Sequence, residues 1–85
     1  MTRALITPNQ LRLLSGLCDR WEFTQQVELA QEIWPGNYSY IRKSYSRLQN
    51  LGFIKWATQS ETMYEPRWYV TESGVRYALD NELAP

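Results

Sequence analysis

The sequence predicts a mainly α-helical fold with one β-hairpin: three helices, two strands and a final helix. Three observations carry that expectation. Apolar residues recur at helical spacing in three successive stretches before Gly52. Two short runs of β-formers, residues 53–58 and 67–71, are separated by a polar turn region. Thr71 then opens a fourth helical pattern. The 85 residues make one domain, 1–85, with no internal repeat and no linker.

Thr7 caps a first helix over residues 8–20. Pro8 suits the first helical position, and Gln10 stands where a capping box places its glutamine. Leu11, Leu14, Leu17 with Cys18, and Trp21 form its apolar face. Gly16 weakens this helix by about 1 kcal/mol relative to Ala; it either admits another element closely or is simply tolerated. Thr24 caps a shorter second helix, residues 25–34. Val27, Ala30 and Ile33 point inward, with Trp34 at their boundary and Leu29 on the flank. Glu28 and Glu32 make its outer face acidic, and Pro35 and Gly36 end it.

Asn37 caps the third helix, residues 38–51. Ile41, Tyr45 and Leu48 share its inner face, with Ser44 and Leu51 beside it. At about 100° per residue the opposite face carries Ser39, Lys43, Ser46 and Asn50, flanked by Arg42 and Arg47. Gly52 fits a left-handed helix cap, with Phe53 supplying the apolar contact that often accompanies one. The hairpin covers residues 53–71. Lys55 faces outward on its first strand. On the second, Trp68 and Val70 alternate with Arg67 and Tyr69. An isolated hairpin is marginal in water, so this one must pack on the helices. The last helix covers residues 72–82, with Val75, Ala78 and Leu79 inward.

Composition narrows the chemistry. The chain has no histidine and one cysteine, so it lacks the commonest general base and any intramolecular disulfide. Cys18, among leucines and Trp21, reads as a buried, inert thiol. No nucleophile is paired with a recognisable base, and no glycine-rich phosphate loop or metal-ligand cluster appears, so neither an enzyme nor a cofactor is expected. No apolar run reaches the roughly 18 residues of a membrane span, and the N-terminus lacks a signal-peptide core. A reducing, cytoplasmic setting fits best. The four tryptophans fall at inward or boundary positions and read as core packing.

Charge is the informative feature. Nine basic and nine acidic residues give a net charge of zero, which argues against an indiscriminate polyanion binder. The distribution is uneven, however. Residues 35–55 hold four of the nine basic residues (Arg42, Lys43, Arg47, Lys55) and no acid; the nearest acids are Glu32 and Glu61. A basic, polar helix face is often only a solvated one. Its place on the third helix, in so long an acid-free stretch, favours a nucleic-acid contact instead.

Three stretches resemble the winged helix-turn-helix regulators of bacteria and archaea, the MarR-like and PadR-like groups among them. Glu28-Leu29-Ala30 with Ile33 is similar to the family's second helix. Arg47 to Lys55 resembles the passage from recognition helix to wing. Tyr69-Val70-Thr71-Glu72-Ser73-Gly74 is similar to the entry from wing into last helix. The resemblance covers most of the chain from Gln25 onward. It implies that the third helix lies in the major groove of double-stranded DNA. Ser39, Lys43, Ser46 and Asn50 would face the bases, with Tyr38, Tyr40, Arg42 and Arg47 at the edges. Arg suits guanine, Asn suits adenine, and Ser, Tyr and Lys suit bases or phosphates. The helix N-terminus at residues 37–39 offers N–H groups to a phosphate. Lys55 and Arg67 on the strands could meet the backbone.

The turn between the strands departs from the family pattern. Residues 59–65 carry two acids and no base, so a wing tip of charge about −2 would be repelled by phosphate. It either stays off DNA or meets protein. Met63 and Tyr64 are a small contact surface or, preferably, fold back on the core. The expected function is sequence-specific DNA binding by a small transcriptional regulator, a homodimer joined through its first and last helices, with no effector domain. The alternative is a protein-interaction module that keeps the fold without binding DNA.

Overall fold

The computed structural model describes residues 4–58 and 66–82. Its elements are α1 (Pro8–Cys18), α2 (Phe23–Ile33), α3 (Tyr38–Asn50), β1 (Ile54–Ala57), β2 (Arg67–Val70) and α4 (Glu72–Glu82). The fold is mainly helical, with an antiparallel two-stranded sheet in which Trp56 is paired with Trp68. Helix α1 packs against α2, α3, α4 and β2. It therefore supplies the centre of the core, where Leu13, Leu14 and Leu17 are buried with Leu29, Ile33, Leu48, Ile54 and Ala78.

Local chemistry sets most helix ends. Thr7 Oγ1 accepts the Gln10 N–H at 3.1 Å while Gln10 Oε1 accepts the Thr7 N–H at 3.1 Å, a complete capping box. Asn37 Oδ1 accepts the Tyr40 N–H. At the end of α3, Gly52 takes φ +80°, its N–H donates to Gln49, and the Phe53 N–H donates to Leu48. This is the paired Schellman closure, and it delivers Phe53 into the core. Thr71 Oγ1 caps α4 by accepting the Gly74 N–H at 3.1 Å.

Several bounds differ from the sequence expectation. Helix α1 stops at Cys18 rather than residue 20. There the N–H groups of Asp19 and Arg20 close onto Gly16 and Leu17 in tight turns, and the Arg20 guanidinium donates to the Gly16 carbonyl. Trp21 is thereby carried off the apolar face and is 68% exposed. Helix α2 begins at Phe23, and Thr24 lies inside its first turn. Glu22 occupies the cap position without a side-chain bond, and the Phe23 ring meets Trp56 edge-on at 5.4 Å. Tertiary packing has outweighed the cap preference here. Trp34 and Leu51 are cap residues rather than the last residues of α2 and α3. Leu29 is buried rather than flanking.

On α4, Ala78 is buried as expected, whereas Val75 and Leu79 are exposed. The buried side runs through Gly74, where a Cβ would collide with the Phe53 carbonyl, so the helix is turned to put that glycine inward. Gly16 does admit a neighbour closely: a Cβ there would lie 2.5 Å from Leu29 Cδ2. The acidic turn and its Met63 and Tyr64 lie outside the described residues.

The hairpin is tied to the helices by one side chain that periodicity does not reveal. Gln26 of α2 is fully buried. Its Nε2 donates to the Trp68 carbonyl at 2.8 Å and to the Arg20 carbonyl at 3.0 Å, and its Oε1 accepts the Trp68 N–H at 3.0 Å. A side-chain amide has the donor and acceptor of a peptide group, so Gln26 completes the outer edge of β2 as a neighbouring strand would. Gln26→Leu keeps comparable bulk but strands those backbone groups. It should lower the free energy of unfolding by roughly 2–4 kcal/mol, measured by urea titration. Unchanged stability would show that the clamp does not hold the hairpin.

Candidate nucleic-acid interface

Helix α3 has 13 residues, about 20 Å of helix. Its inner side is fixed at several points. Leu48 and Ser44 are fully buried, and Ser44 Oγ accepts a hydrogen bond from Gln10 Nε2 at 3.3 Å. The Tyr45 ring stacks on Trp68 with centroids 5.0 Å apart, and its hydroxyl donates to the Gln26 carbonyl at 3.3 Å. Burial pushes the Tyr45 hydroxyl up to a pKa of about 12. With the inner side held in this way, the outer side has a defined direction.

That outer side carries Ser39, Arg42, Lys43, Ser46 and Asn50, all exposed. Among the described residues, none of these side chains is bonded to a protein partner. Tyr38 stands at one edge, 64% exposed. Gln49, also exposed, belongs to the same face. It follows Arg42 by seven residues and Ser46 by three, a spacing that marks it from sequence, although the expectation above did not include it. No acid occurs on α3, and none occurs on α1.

The remaining expected residues are placed differently. Tyr40 is half-buried, its ring 5.3 Å from that of Trp34. Arg47 is exposed, but its Nη2 donates to the Leu5 carbonyl at 3.1 Å, so it holds the segment leading into α1. Beside it, an open cleft of about 460 Å³ runs from Leu5 and Thr7 to Lys43 and Arg47. At the start of α3, the Asn37 N–H already donates to the Trp34 carbonyl, which leaves the N–H groups of Tyr38 and Ser39 as the unpaired ones.

Lys55 and Arg67 lie on the other face of the hairpin. The Trp56 and Trp68 face meets Phe23 and Tyr45, whereas Lys55, Arg67 and Tyr69 point away from it. The structure therefore brings together Tyr38, Ser39, Arg42, Lys43, Ser46 and Asn50, and separates Lys55 and Arg67 from them. Between α2 and α3, an apolar groove of about 300 Å³ is lined by Phe23, Val27, Ile41, Tyr45 and Trp68 with Tyr38 at its rim. Among the described residues no group of three His, Cys, Asp or Glu side chains could hold a metal ion, and no helix is long and apolar enough to cross a membrane.

Comparison with protein-family models, with curated proteins and with solved structures finds no match to this chain. The arrangement of α3 is thus read on its own geometry. A helix is 10–12 Å across with its side chains, close to the width of a DNA major groove. From Ser39 to Asn50 the polar face extends about 16 Å, three turns.

The raised Tyr45 pKa has a pH consequence. Below pH 10 the hydroxyl is neutral in both folded and unfolded chains. Between about pH 10 and 12 only the unfolded chain ionises, so stability is lost across that window. Wild type should lose about 2 kcal/mol more than Tyr45→Phe between those pH values, read from denaturant midpoints at each pH. Parallel profiles for the two proteins would count against burial of this hydroxyl.

Proposed function

We propose that this chain is a small double-stranded-DNA-binding protein of winged helix-turn-helix type, acting as a transcriptional regulator, with α3 as its recognition helix. The observation that carries the reading is the outer face of α3: an acid-free row of exposed polar and cationic side chains with no side-chain bond to the protein among the described residues. Such groups are solvated in the free protein and ready to exchange water for base edges and phosphates. Arg42 and Asn50 have the fork geometries that pair with guanine and adenine, while Lys43, Tyr38 and the serines suit phosphates. The N–H groups of Tyr38 and Ser39 add a phosphate-binding end. Lys55 and Arg67, on the far face of the hairpin, leave α3 to supply the groove contact.

One helix reads only a short site, so a homodimer on a two-fold operator fits this reading. The exposed Val75 and Leu79 on α4 provide apolar surface for pairing. A second reading is a protein-interaction module without DNA binding. It is favoured by the zero net charge and by the apolar groove between α2 and α3.

Binding sites selected from random duplex DNA provide the probe. Arg42→Ala and Lys43→Ala should each weaken binding about 5- to 100-fold in a gel-shift titration while leaving the thermal midpoint unchanged. Lys43→Ala should also reduce the salt slope by about one unit. Wild type that shows no duplex binding even at low salt would favour the interaction module.

A further inference from the structure

The outward face of the hairpin carries a second, separate arrangement. Lys55 Nζ lies 5.8 Å from the centroid of the Tyr69 ring. Arg67 Cζ lies 5.9 Å from the same ring and 5.9 Å from the Trp21 ring. The four side chains form a row in which cation and aromatic alternate: Lys55, Tyr69, Arg67, Trp21. Trp21 is 68% exposed and Tyr69 44%. The indole is nevertheless fixed, since its Nε1 donates to the Cys18 carbonyl at 3.4 Å. Asp19 and Glu22 flank Trp21 in the chain, so the cationic part of the row is its Lys55–Arg67 end.

The Trp21 and Tyr69 rings thus offer exposed aromatic surface on which a flat group can stack. Among the described residues neither Lys55 nor Arg67 has an acidic partner, and at almost 6 Å their attraction to the rings is at the outer limit of the effect. The row thus presents flat apolar faces and positive charges in alternation.

We infer that this face binds single-stranded nucleic acid. A single strand alternates flat bases with phosphates, so its pattern complements the row in shape and in charge. A duplex keeps the faces of its bases stacked inside and offers nothing to an exposed ring. An acidic peptide would satisfy the cations and leave Trp21 and Tyr69 uncovered. Because this face lies across the hairpin from α3, the inference does not rest on duplex recognition by that helix.

Fluorescence anisotropy with labelled oligothymidylate and oligouridylate of about twelve nucleotides tests the proposal at low salt. Wild type is expected to bind at least one of the two, the pair separating DNA from RNA. Trp21→Ala and Tyr69→Ala should each weaken that binding roughly 5- to 100-fold, the range found for loss of one base–aromatic stack. Trp21→Phe, which keeps a ring, should restore part of the loss. The Arg42→Ala/Lys43→Ala double variant should bind the single strand as wild type does, whatever it does to duplex. Absence of wild-type binding to both oligomers would overturn the proposal, and so would alanine variants that bind as tightly as wild type. Displacement of the oligomer by an equal charge concentration of polyglutamate would also overturn it, in favour of an acidic protein segment.

Discussion

The side-chain amide of Gln26 is the interaction on which the arrangement of helices and hairpin depends. A two-stranded sheet has two open edges and little stability of its own. Here the edge of β2 at Trp68 is closed by an amide that bonds both the N–H and the C=O of that residue and also the carbonyl of Arg20. The main-chain carbonyl of Gln26 accepts the Tyr45 hydroxyl. One residue of α2 therefore joins the end of α1, the hairpin and α3. A buried amide with its hydrogen bonds unmade would cost several kcal/mol, so competing placements of the hairpin are penalised as well as this one favoured. The Tyr45–Trp68 stack follows from the registration this imposes.

A second polar link sets α3 relative to α1. Gln10 first closes the capping box with Thr7 through its Oε1, and its Nε2 then reaches the buried Ser44. A small residue at position 44 lets the two helices meet, as Gly16 does for α1 against Leu29. Helix α3 is thus held by a hydrogen bond near its middle, an aromatic stack beside it and the Schellman turn at its end. Among the described residues, Ser39, Arg42, Lys43, Ser46 and Asn50 on its outer face have no such ties. This asymmetry fixes the helix backbone under that face while its side chains stay uncommitted, so binding has only the side chains left to order.

How legible this was in the sequence depends on the range of each interaction. Caps, stops and glycine turns rest on partners three to five residues away, so Thr7 with Gln10, Asn37, Gly52 and Thr71 could be read directly. Helical periodicity likewise placed Ser39, Lys43, Ser46 and Asn50 together, because one face of a helix is itself a local property. Periodicity set Ser44 beside the inner face of α3 but not its partner Gln10, and Gln26 could not be read at all, since a polar residue is buried only where distant groups satisfy it, and those groups lie on β2 and at the end of α1. The exposure of Trp21 escaped for the same reason: it depends on where α1 ends, and Arg20 and the tight turns there decide that. Arg47 shows the limit most clearly. Its helical position marks it as an edge of the polar face, but its partner, the Leu5 carbonyl, lies 42 residues away.

The zero net charge bears on how such a protein would discriminate. Non-specific affinity for DNA scales with the number of phosphates neutralised. If α3 reads duplex DNA, its two uncommitted cations, Arg42 and Lys43, can neutralise few phosphates. Random sequence then holds the protein weakly, while contacts to base edges are unaffected by the overall balance. The ratio of specific to non-specific binding is thereby raised at the expense of absolute affinity. A single copy would bind too loosely to occupy a site among many competitors. Joining two copies recovers the affinity, because the second face engages at the effective concentration set by the first. Under the duplex reading, neutrality of the chain and pairing of two copies are two parts of the same physical requirement.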